Sequence, residues 1–450
     1  LSQVLGGSKS SRLDRRLVFQ DKLADKVSAY VYPFELASTF YITADVKQGV
    51  DPARVEAIID EELRRLLAEG PDAAELQQAQ TVVKAGFVRG IERIGGFGGK
   101  ADALAECAVY TGDPGCFRTS LDVVAGATPA ALQASGRQWL GEGSHTLVVL
   151  PGERTVLPEE PSPTPAPFAL PKPDPKFRTV ATGVDRSRGV PMPESFPDLK
   201  FPALQRATLG NGTRVILARR DAVPVVQFSY EFKGGFAADL GRKLGTSSFT
   251  LGMLDEGAGD LDALAFANRA ESLGASLGAG AALDGANAYL SALKENLDAS
   301  LGLFADMLRR PRFEQKEIDR VRATWIAGIA QEKARPNGAA LRVLPPLLYG
   351  AGHPYAIPFS GSGTEQSIAS LTRDDLVAFH RQWVRPENAT LIVVGDTTLD
   401  EIVPLLEKHL GDWKGEGPAP AATARPADVA RPAKPTVYLI DQPGAVQATI

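Results

Sequence analysis

Hydrophobic and polar positions follow the same helix–turn–strand pattern at two places in the chain. Residues 128–150 read TPAALQASGRQWLGEGSHTLVVL, and residues 372–394 read TRDDLVAFHRQWVRPENATLIVV. The segments align without a gap and share a threonine, a leucine, the triplet Arg-Gln-Trp and a final Thr-Leu-x-Val. Each predicts a threonine-capped amphipathic helix, a polar turn and a buried strand. We therefore expect Trp139 and Trp383 to pack in equivalent positions.

A weaker repeat precedes each of these segments. Residues 55–83 and 297–325 both predict a helix, a short break containing Gly or Pro, and a second long helix. Convergence between amphipathic helices would also explain this pair alone. Around the second pair, the pattern predicts an Asn-Gly hairpin, further strands and more helices. The chain is thus expected to be α+β, with tandem copies of a two-layer unit whose mainly antiparallel sheet is covered by helices.

Two proline-rich segments separate these units. Proline disfavours helix interiors and central strands, so such segments are expected to run extended over the surface. We predict a first domain at 1–151, a linker at 152–199, a second domain at 200–415, a linker at 416–434 and the start of a further domain at 435–450.

Composition restricts the classes of partner and compartment. The net charge is −5 without a block of lysine or arginine, which argues against nucleic acid. No apolar run approaches the roughly 20 residues that cross a bilayer. Cys107 and Cys116 are the only cysteines, and they form either one short-loop disulfide in an exported protein or two free buried thiols.

The segment LGTSSFTLGMLDEGAG, residues 244–259, predicts a helix whose apolar side chains are buried and whose centre carries no metal-binding group. The four histidines do not form a helical metal pair. We expect His145, His380 and His409 to be solvated surface residues. His353 lies in a loop rich in Gly and Pro, where we expect it to anchor the loop rather than to catalyse.

The order of several segments resembles the family of pitrilysin, insulinase and mitochondrial processing peptidase. These segments are LGGSKSSRLDRRLVFQDKLADKVSAY, LGNGTRVIL, LGTSSFTLGMLDEGAG, and the stretch from YGAGHPYAIPF to ATLIVVGD. The His353-Pro354-Tyr355 triplet belongs to the last of them and is expected to be structural. The resemblance covers nearly the whole chain outside the linkers. The first segment is similar to the opening of the second domain in that family.

The resemblance also implies where zinc chemistry would be found. Active members carry an inverted HxxEH motif on the opening helix, in which two histidines bind zinc and a glutamate activates water. Here Ser248, Leu251 and Gly252 stand at the His, Glu and His positions. The further glutamate ligand is expected near residues 327–328, which hold no carboxylate, and Glu332 comes about one turn later. We therefore expect no catalytic residue, no metal ligand and no cofactor in this chain.

A second family feature is an Arg/Tyr pair, seven residues apart, that holds the substrate backbone. Val18 and Asp25 occupy these positions here. Loss of the clamp in one copy and of zinc in the other is the pattern of a fused four-domain protein. Such a protein would carry its zinc motif upstream of residue 1 and its clamp after residue 450.

The resemblance thus implies the non-catalytic central part of a zinc metallo-endopeptidase that encloses unfolded peptides in a two-half chamber. Expected partners are a peptide substrate and either the missing first and fourth domains or a homologous catalytic subunit. One alternative is a zinc-less structural or assembly protein of the same fold, like respiratory-complex core subunits, and another is an unrelated binding module. The proline-rich linkers and the absence of cysteine clusters favour a bacterial periplasmic or secreted location.

Overall fold

The computed structural model describes residues 1–152, 200–418, 428–430 and 434–441, with isolated positions between 172 and 198 and between 443 and 449. The two predicted linkers therefore lie largely outside the described residues, whereas residues 435–441 of the last segment are described and form no helix or strand. The described chain divides into two compact units. One contains Leu1–Gly143 with Ala203–Ile450, and the other is Ser144–Pro202. The predicted domain boundaries remain predictions.

The first copy, residues 1–143, is built from one hairpin and a series of helices. Its two antiparallel strands are β1 (Ala24–Pro33) and β2 (Ser38–Val46). Its helices are α1 (Ser2–Gly6), α2 (Arg12–Asp14), α3 (Pro52–Glu69), α4 (Ala73–Gly90), α5 (Lys100–Thr111), α6 (Cys116–Ala125) and α7 (Pro129–Leu140), with a π-helical turn at Arg15–Gln20 after α2. A disulfide between Cys107 and Cys116 joins α5 to α6.

The second copy contains a six-stranded sheet in the order β3-β4-β8-β5-β7-β6, in which only the β4–β8 pair is parallel. Its strands are β3 (Leu204–Thr208), β4 (Arg214–Arg219), β5 (Val225–Lys233), β6 (Ser276–Ala281), β7 (Gly285–Leu293) and β8 (Ala389–Gly395). Its helices are α8 (Thr246–Gly252), α9 (Ala263–Ser272), α10 (Leu297–Arg309), α11 (Gln315–Ala334), α12 (Pro336–Tyr349), α13 (Glu365–Ala369), α14 (Arg373–Trp383) and α15 (Leu399–Leu410). The predicted α+β class and mainly antiparallel sheet are confirmed.

One face of this sheet forms the floor of the main core. Alternate residues of a strand point to the same face, and in β5 the buried set is Val226, Phe228, Tyr230 and Phe232. Helices α8, α10, α14 and α15 contribute the opposing apolar side chains. None of the helices in the described ranges is long and apolar enough to cross a bilayer.

The repeated helix–turn–strand pattern folds differently in the two copies. Both helices form, and Thr128 and Thr372 cap them as predicted. However, residues 143–150 form no strand and are exposed, so the predicted buried strand there is wrong. Trp139 is 73% exposed whereas Trp383 is 8% exposed, so the predicted equivalent packing is also wrong.

The strand neighbours explain this difference. In the second copy, β8 is paired on one side with β4 and on the other with β5. In residues 1–143 the strands are β1 and β2, and neither of them is paired with residues 147–150. An apolar segment becomes a buried strand only when neighbouring strands accept its backbone hydrogen bonds, and within the described part of the chain no strand is paired with residues 147–150.

Candidate functional site

Helix α8, on which the zinc motif would lie, is short and is fixed by a buried carboxylate. Asp239 accepts hydrogen bonds from the backbone N–H groups of Gly245 (3.0 Å) and Ser247 (3.2 Å) and from the Ser247 hydroxyl (3.0 Å). Burial raises the pKa of the Asp239 carboxyl to about 6, although these hydrogen bonds act in the opposite direction. Asp239 therefore satisfies backbone donors that the first turn of α8 leaves unpaired.

The three positions of the lost zinc motif have different environments on α8. Leu251 is fully buried in the main core, as are Phe249, Met253 and Leu254. The predicted burial is thus confirmed, although the helix ends at Gly252 rather than continuing to residue 259. Ser248 is half-buried. Leu251 and Gly252 offer no side-chain donor atom for zinc. The three positions together therefore cannot form a zinc-binding group.

An aromatic side chain fills the space next to Gly252. A Cβ atom on Gly252 would lie 3.4 Å from the Trp325 ring, so a longer side chain at this position would meet the indole. Trp325 is held in place by a hydrogen bond from its N–H to the Ser362 carbonyl (2.9 Å) and by edge-on packing against Phe249 (5.4 Å). The residues here do not fit a zinc ion, and no group of three or more metal-binding side chains occurs in the described ranges.

A cavity of about 380 Å³ lies along α11 and receives residues from both copies. Its apolar lining comes from Val321, Trp325, Gly328 and Ile329. Its polar lining comes from Asp25, Glu256, Arg320, Thr324, Glu332 and Ser362. The structure therefore brings the predicted clamp position Asp25 to the part of α11 where the downstream zinc ligand was expected.

A β-bulge directs Asp25 toward this cavity. Between Ala24 and Lys26 the hairpin register advances by two residues on β1 and by one on β2, so Asp25 is the extra residue. Bulges re-aim side chains and are common near functional sites. The Asp25 Oδ1 atom accepts from the Thr324 hydroxyl (3.2 Å) and pairs with Lys47 Nζ (3.2 Å). Among the described residues, no hydrogen bond reaches the Oδ2 atom.

The other carboxylates of the cavity are held by cations. Glu332 accepts from Arg342 (3.2 Å) and from the Ser362 hydroxyl (2.8 Å). Burial alone would raise the pKa of Glu332, but hydrogen bonds from Ser360, Ser362 and Arg342 outweigh it and place this pKa below its ordinary value. Glu332 is therefore ionised at neutral pH.

Glu256, another residue of the cavity lining, joins the two copies. Its carboxylate pairs with Lys9 of the first copy (3.0 Å) and with Arg320 of α11. Arg320 also pairs with Glu317 (2.8 Å), and its guanidinium lies 4.4 Å from the centre of the Phe19 ring. These contacts engage the Nε and Nη2 atoms of Arg320 and hold the first copy against α11.

The remaining predicted residues lie elsewhere. Val18 is buried in the core of the first copy, within the π-helical turn. The His353 Nδ1 atom accepts from the Tyr355 N–H (3.0 Å), and its ring stacks on Tyr349 (4.9 Å). The Tyr355 hydroxyl donates to Asp284 (2.7 Å), which raises the Tyr355 pKa. These contacts support the expected loop-anchoring role of the triplet that also contains Pro354.

Among the other histidines, only His145 is fully exposed. His380 donates through Nε2 to the Leu308 carbonyl (2.8 Å), and burial lowers its pKa, so the prediction of a solvated His380 is wrong. His409 is half-buried and pairs with Asp298 (2.7 Å), so the same prediction is wrong there too. Each of these two histidines contacts the neighbouring helix α10.

Sequence reasoning missed Asp239 and the role of Trp325. Asp239 lies six residues before Gly245, outside the span in which a local capping residue is sought. Trp325 lies two positions before residue 327, where the family resemblance predicts a carboxylate ligand. No function is expected of an aromatic residue at that position. An aromatic residue beside the expected ligand position is the sequence signal that could have identified Trp325.

Comparisons with known proteins show which family this chain is similar to. Residues 1–83 and 370–450 match the sequence model of the peptidase M16 inactive domain, and residues 214–346 match that of insulinase, peptidase family M16. A Mycobacterium leprae protein named an uncharacterized zinc protease is 26% identical over 206 residues, which is 46% of this chain and 46% of its own length.

A second curated protein and a crystal structure are also similar to this chain. A Helicobacter pylori protein named non-peptidase homolog YmxG is 24% identical over 196 residues, covering 44% of this chain and 45% of its own. The crystal structure of a peptidase M16 inactive domain from Pseudomonas fluorescens is 30% identical, with a TM-score of 0.47, over 50% of this chain and 54% of that chain. The chain thus spans about half the length of the relatives it matches.

Proposed function

Because the chain belongs to the pitrilysin/insulinase family of M16 peptidases, we propose that it is the non-catalytic central part of a zinc metallo-endopeptidase. In this proposal the chain forms walls of a two-half chamber that encloses unfolded peptides. The zinc centre would be supplied by another domain or by a homologous catalytic subunit. Family membership also removes the unrelated binding module from the alternatives.

The environment of α8 carries this proposal. Ser248, Leu251 and Gly252 stand where two ligands and a general base are needed, and Trp325 fills the space beside Gly252. Peptide hydrolysis requires one water-activating centre, so a second copy of the fold can lose its own while its packing residues persist. The buried apolar side chains of α8 keep the helix in place without the metal.

The disulfide supports an oxidising location for the protein. Disulfides persist in extracellular and periplasmic compartments and are rare where thiols are kept reduced. Cys107 and Cys116 are bonded to each other, which favours a periplasmic or secreted protein. Together with the proposed peptide substrate, this location indicates a subunit or domain of a protease that acts outside the cytosol.

A zinc-less structural or assembly protein of the same fold is the second candidate. One observation favours it, namely that the Helicobacter pylori relative bears the name non-peptidase homolog. The two candidates differ in whether any zinc-bearing partner restores peptide cleavage.

A reconstitution assay tests the proposal. The chain is purified, treated with a chelator and assayed on a fluorogenic peptide, alone and with a chain that carries an intact HxxEH domain of the same family. We expect no cleavage by either chain alone and cleavage by the mixture, because a chamber needs both halves to position an extended peptide.

The matched control replaces the HxxEH glutamate of the added chain by glutamine, which should abolish the restored cleavage. The variant His353→Ala of this chain should leave it nearly unchanged. Cleavage by the chelator-treated chain alone would overturn the proposal. Failure of every zinc-bearing partner to restore cleavage would favour the structural candidate.

A further inference from the structure

The cavity along α11 has the size and lining of a ligand site. Its volume of about 380 Å³ lies within the roughly 300–1,000 Å³ range of small-molecule pockets. The half-buried Trp325 ring lines it and is fixed by its hydrogen bond to Ser362 (2.9 Å). Gly328 leaves space in the lining, because a Cβ atom there would have no other atom within 4 Å.

The charges of the lining favour a cation. Asp25, Glu256 and Glu332 line the cavity together with a single guanidinium, that of Arg320. Arg320 is already engaged by Glu256 and Glu317. The other cations that pair with the lining carboxylates, Lys9, Lys47 and Arg342, do not line the cavity.

One acceptor atom remains available. The hydrogen bond from Thr324 and the nearest approach of Lys47 are both at Oδ1, and among the described residues no hydrogen bond reaches the Asp25 Oδ2 atom. The side chain is 26% exposed and is placed at the cavity by the β-bulge. A donor entering from solvent can therefore bind this oxygen without displacing an internal contact.

We propose that this cavity binds a lysine or arginine side chain of an extended peptide, with its aliphatic stem against Trp325 and its charged end at Asp25. This deepens the proposed function, on which it rests, by naming the substrate class. The indole surface suits the methylene groups and attracts the cation. A cationic side chain suits the cavity better than an apolar one, because an apolar group would leave the Asp25 Oδ2 atom facing it without a donor.

The test is a binding measurement that needs no cleavage. Fluorescein-labelled, N-acetylated peptides that differ only at one central residue, arginine or its neutral isostere citrulline, are titrated with the full chain and followed by fluorescence anisotropy. We expect the arginine peptide to bind about ten-fold or more tightly than the citrulline peptide, the range for a hydrogen bond to a charged group.

Three variants test whether the preference for the arginine peptide arises at this cavity. Asp25→Asn removes the open carboxylate, and we expect the preference to fall below about three-fold. Gly328→Leu fills the cavity without altering a charge, and leucine suits a helix interior better than glycine, so this variant is expected to fold and to lose the preference as well. Asp298→Asn removes a carboxylate that lies outside the cavity, and the preference should be retained.

The outcomes separate this proposal from the proposed function. Equal binding of the two peptides to the unmodified chain, or no binding of either, overturns the cavity assignment whatever the cleavage assay gives. A preference that persists in Gly328→Leu also overturns it. Failure of the reconstitution assay with the arginine preference intact would leave the binding site standing and refute only the peptidase role.

Discussion

The two tryptophans of the repeat provide a matched test of how tertiary context sets stability. Trp383 is 8% exposed and lies over Gly234, where a Cβ atom would be only 2.2 Å from the ring, whereas Trp139 is 73% exposed. A buried tryptophan removes about 200 Å² from water, which at about 25 cal/mol/Å² corresponds to roughly 5 kcal/mol. This is an upper figure because unfolded chains are partly collapsed.

We therefore expect Trp383→Ala to lower the free energy of unfolding by about 3–5 kcal/mol and Trp139→Ala to change it by less than about 0.5 kcal/mol. The assay is urea unfolding followed by far-UV circular dichroism, which does not depend on tryptophan emission. Trp383→Phe keeps most of the apolar contact and should cost less than the alanine variant.

The comparison between the two alanine variants decides the outcome. A loss at Trp139 equal to that at Trp383 would mean that residues 146–150 are bound to a sheet and that Trp139 is buried beneath them. The explanation from missing strand neighbours would then be refuted. A negligible loss at Trp383 would refute the packing of α14 on the sheet.

Three further predictions follow from single sites. Metal analysis of the chelator-washed chain should find no stoichiometric zinc, and zinc lost on Ser248→Ala would contradict the assignment of α8. Burial raises the pKa of Asp239 from 3.8 to about 6, so the folded protein holds this proton more tightly than the unfolded chain. The stabilising contribution of Asp239 is therefore full below about pH 4 and is lost as pH rises through about 6. The loss amounts to roughly 3 kcal/mol. Unfolding measurements at both pH values should show this loss for the parent chain but not for Asp239→Asn, and equal slopes would refute it. Cys107→Ser should remove about 2–3 kcal/mol of local stability from α5 and α6, which hydrogen exchange would detect as faster exchange confined to residues 100–125, and unchanged exchange there would contradict it.

The sequence alone determined the elements whose causes are local. The Asn211-Gly212 turn, the threonine at residue 372 and the alternation along β5 act through neighbours a few residues away, so periodicity and capping predicted the hairpin, the helix start and the strand. The absence of zinc ligands at Ser248, Leu251 and Gly252 was also readable, because a missing donor atom needs no fold to be recognised.

Only the tertiary structure decided which of two similar segments is buried and where the cavity lies. Trp139 and Trp383 share the triplet Arg-Gln-Trp, but within the described residues β8 after Trp383 is paired with two strands, whereas residues 147–150 after Trp139 are paired with none. Asp25 contacts Thr324 across a separation of 299 residues, and no local pattern encodes such a pairing. Burial and site geometry depend on long-range contacts, whose formation follows from the packing of whole elements rather than from the spacing of residues within one of them.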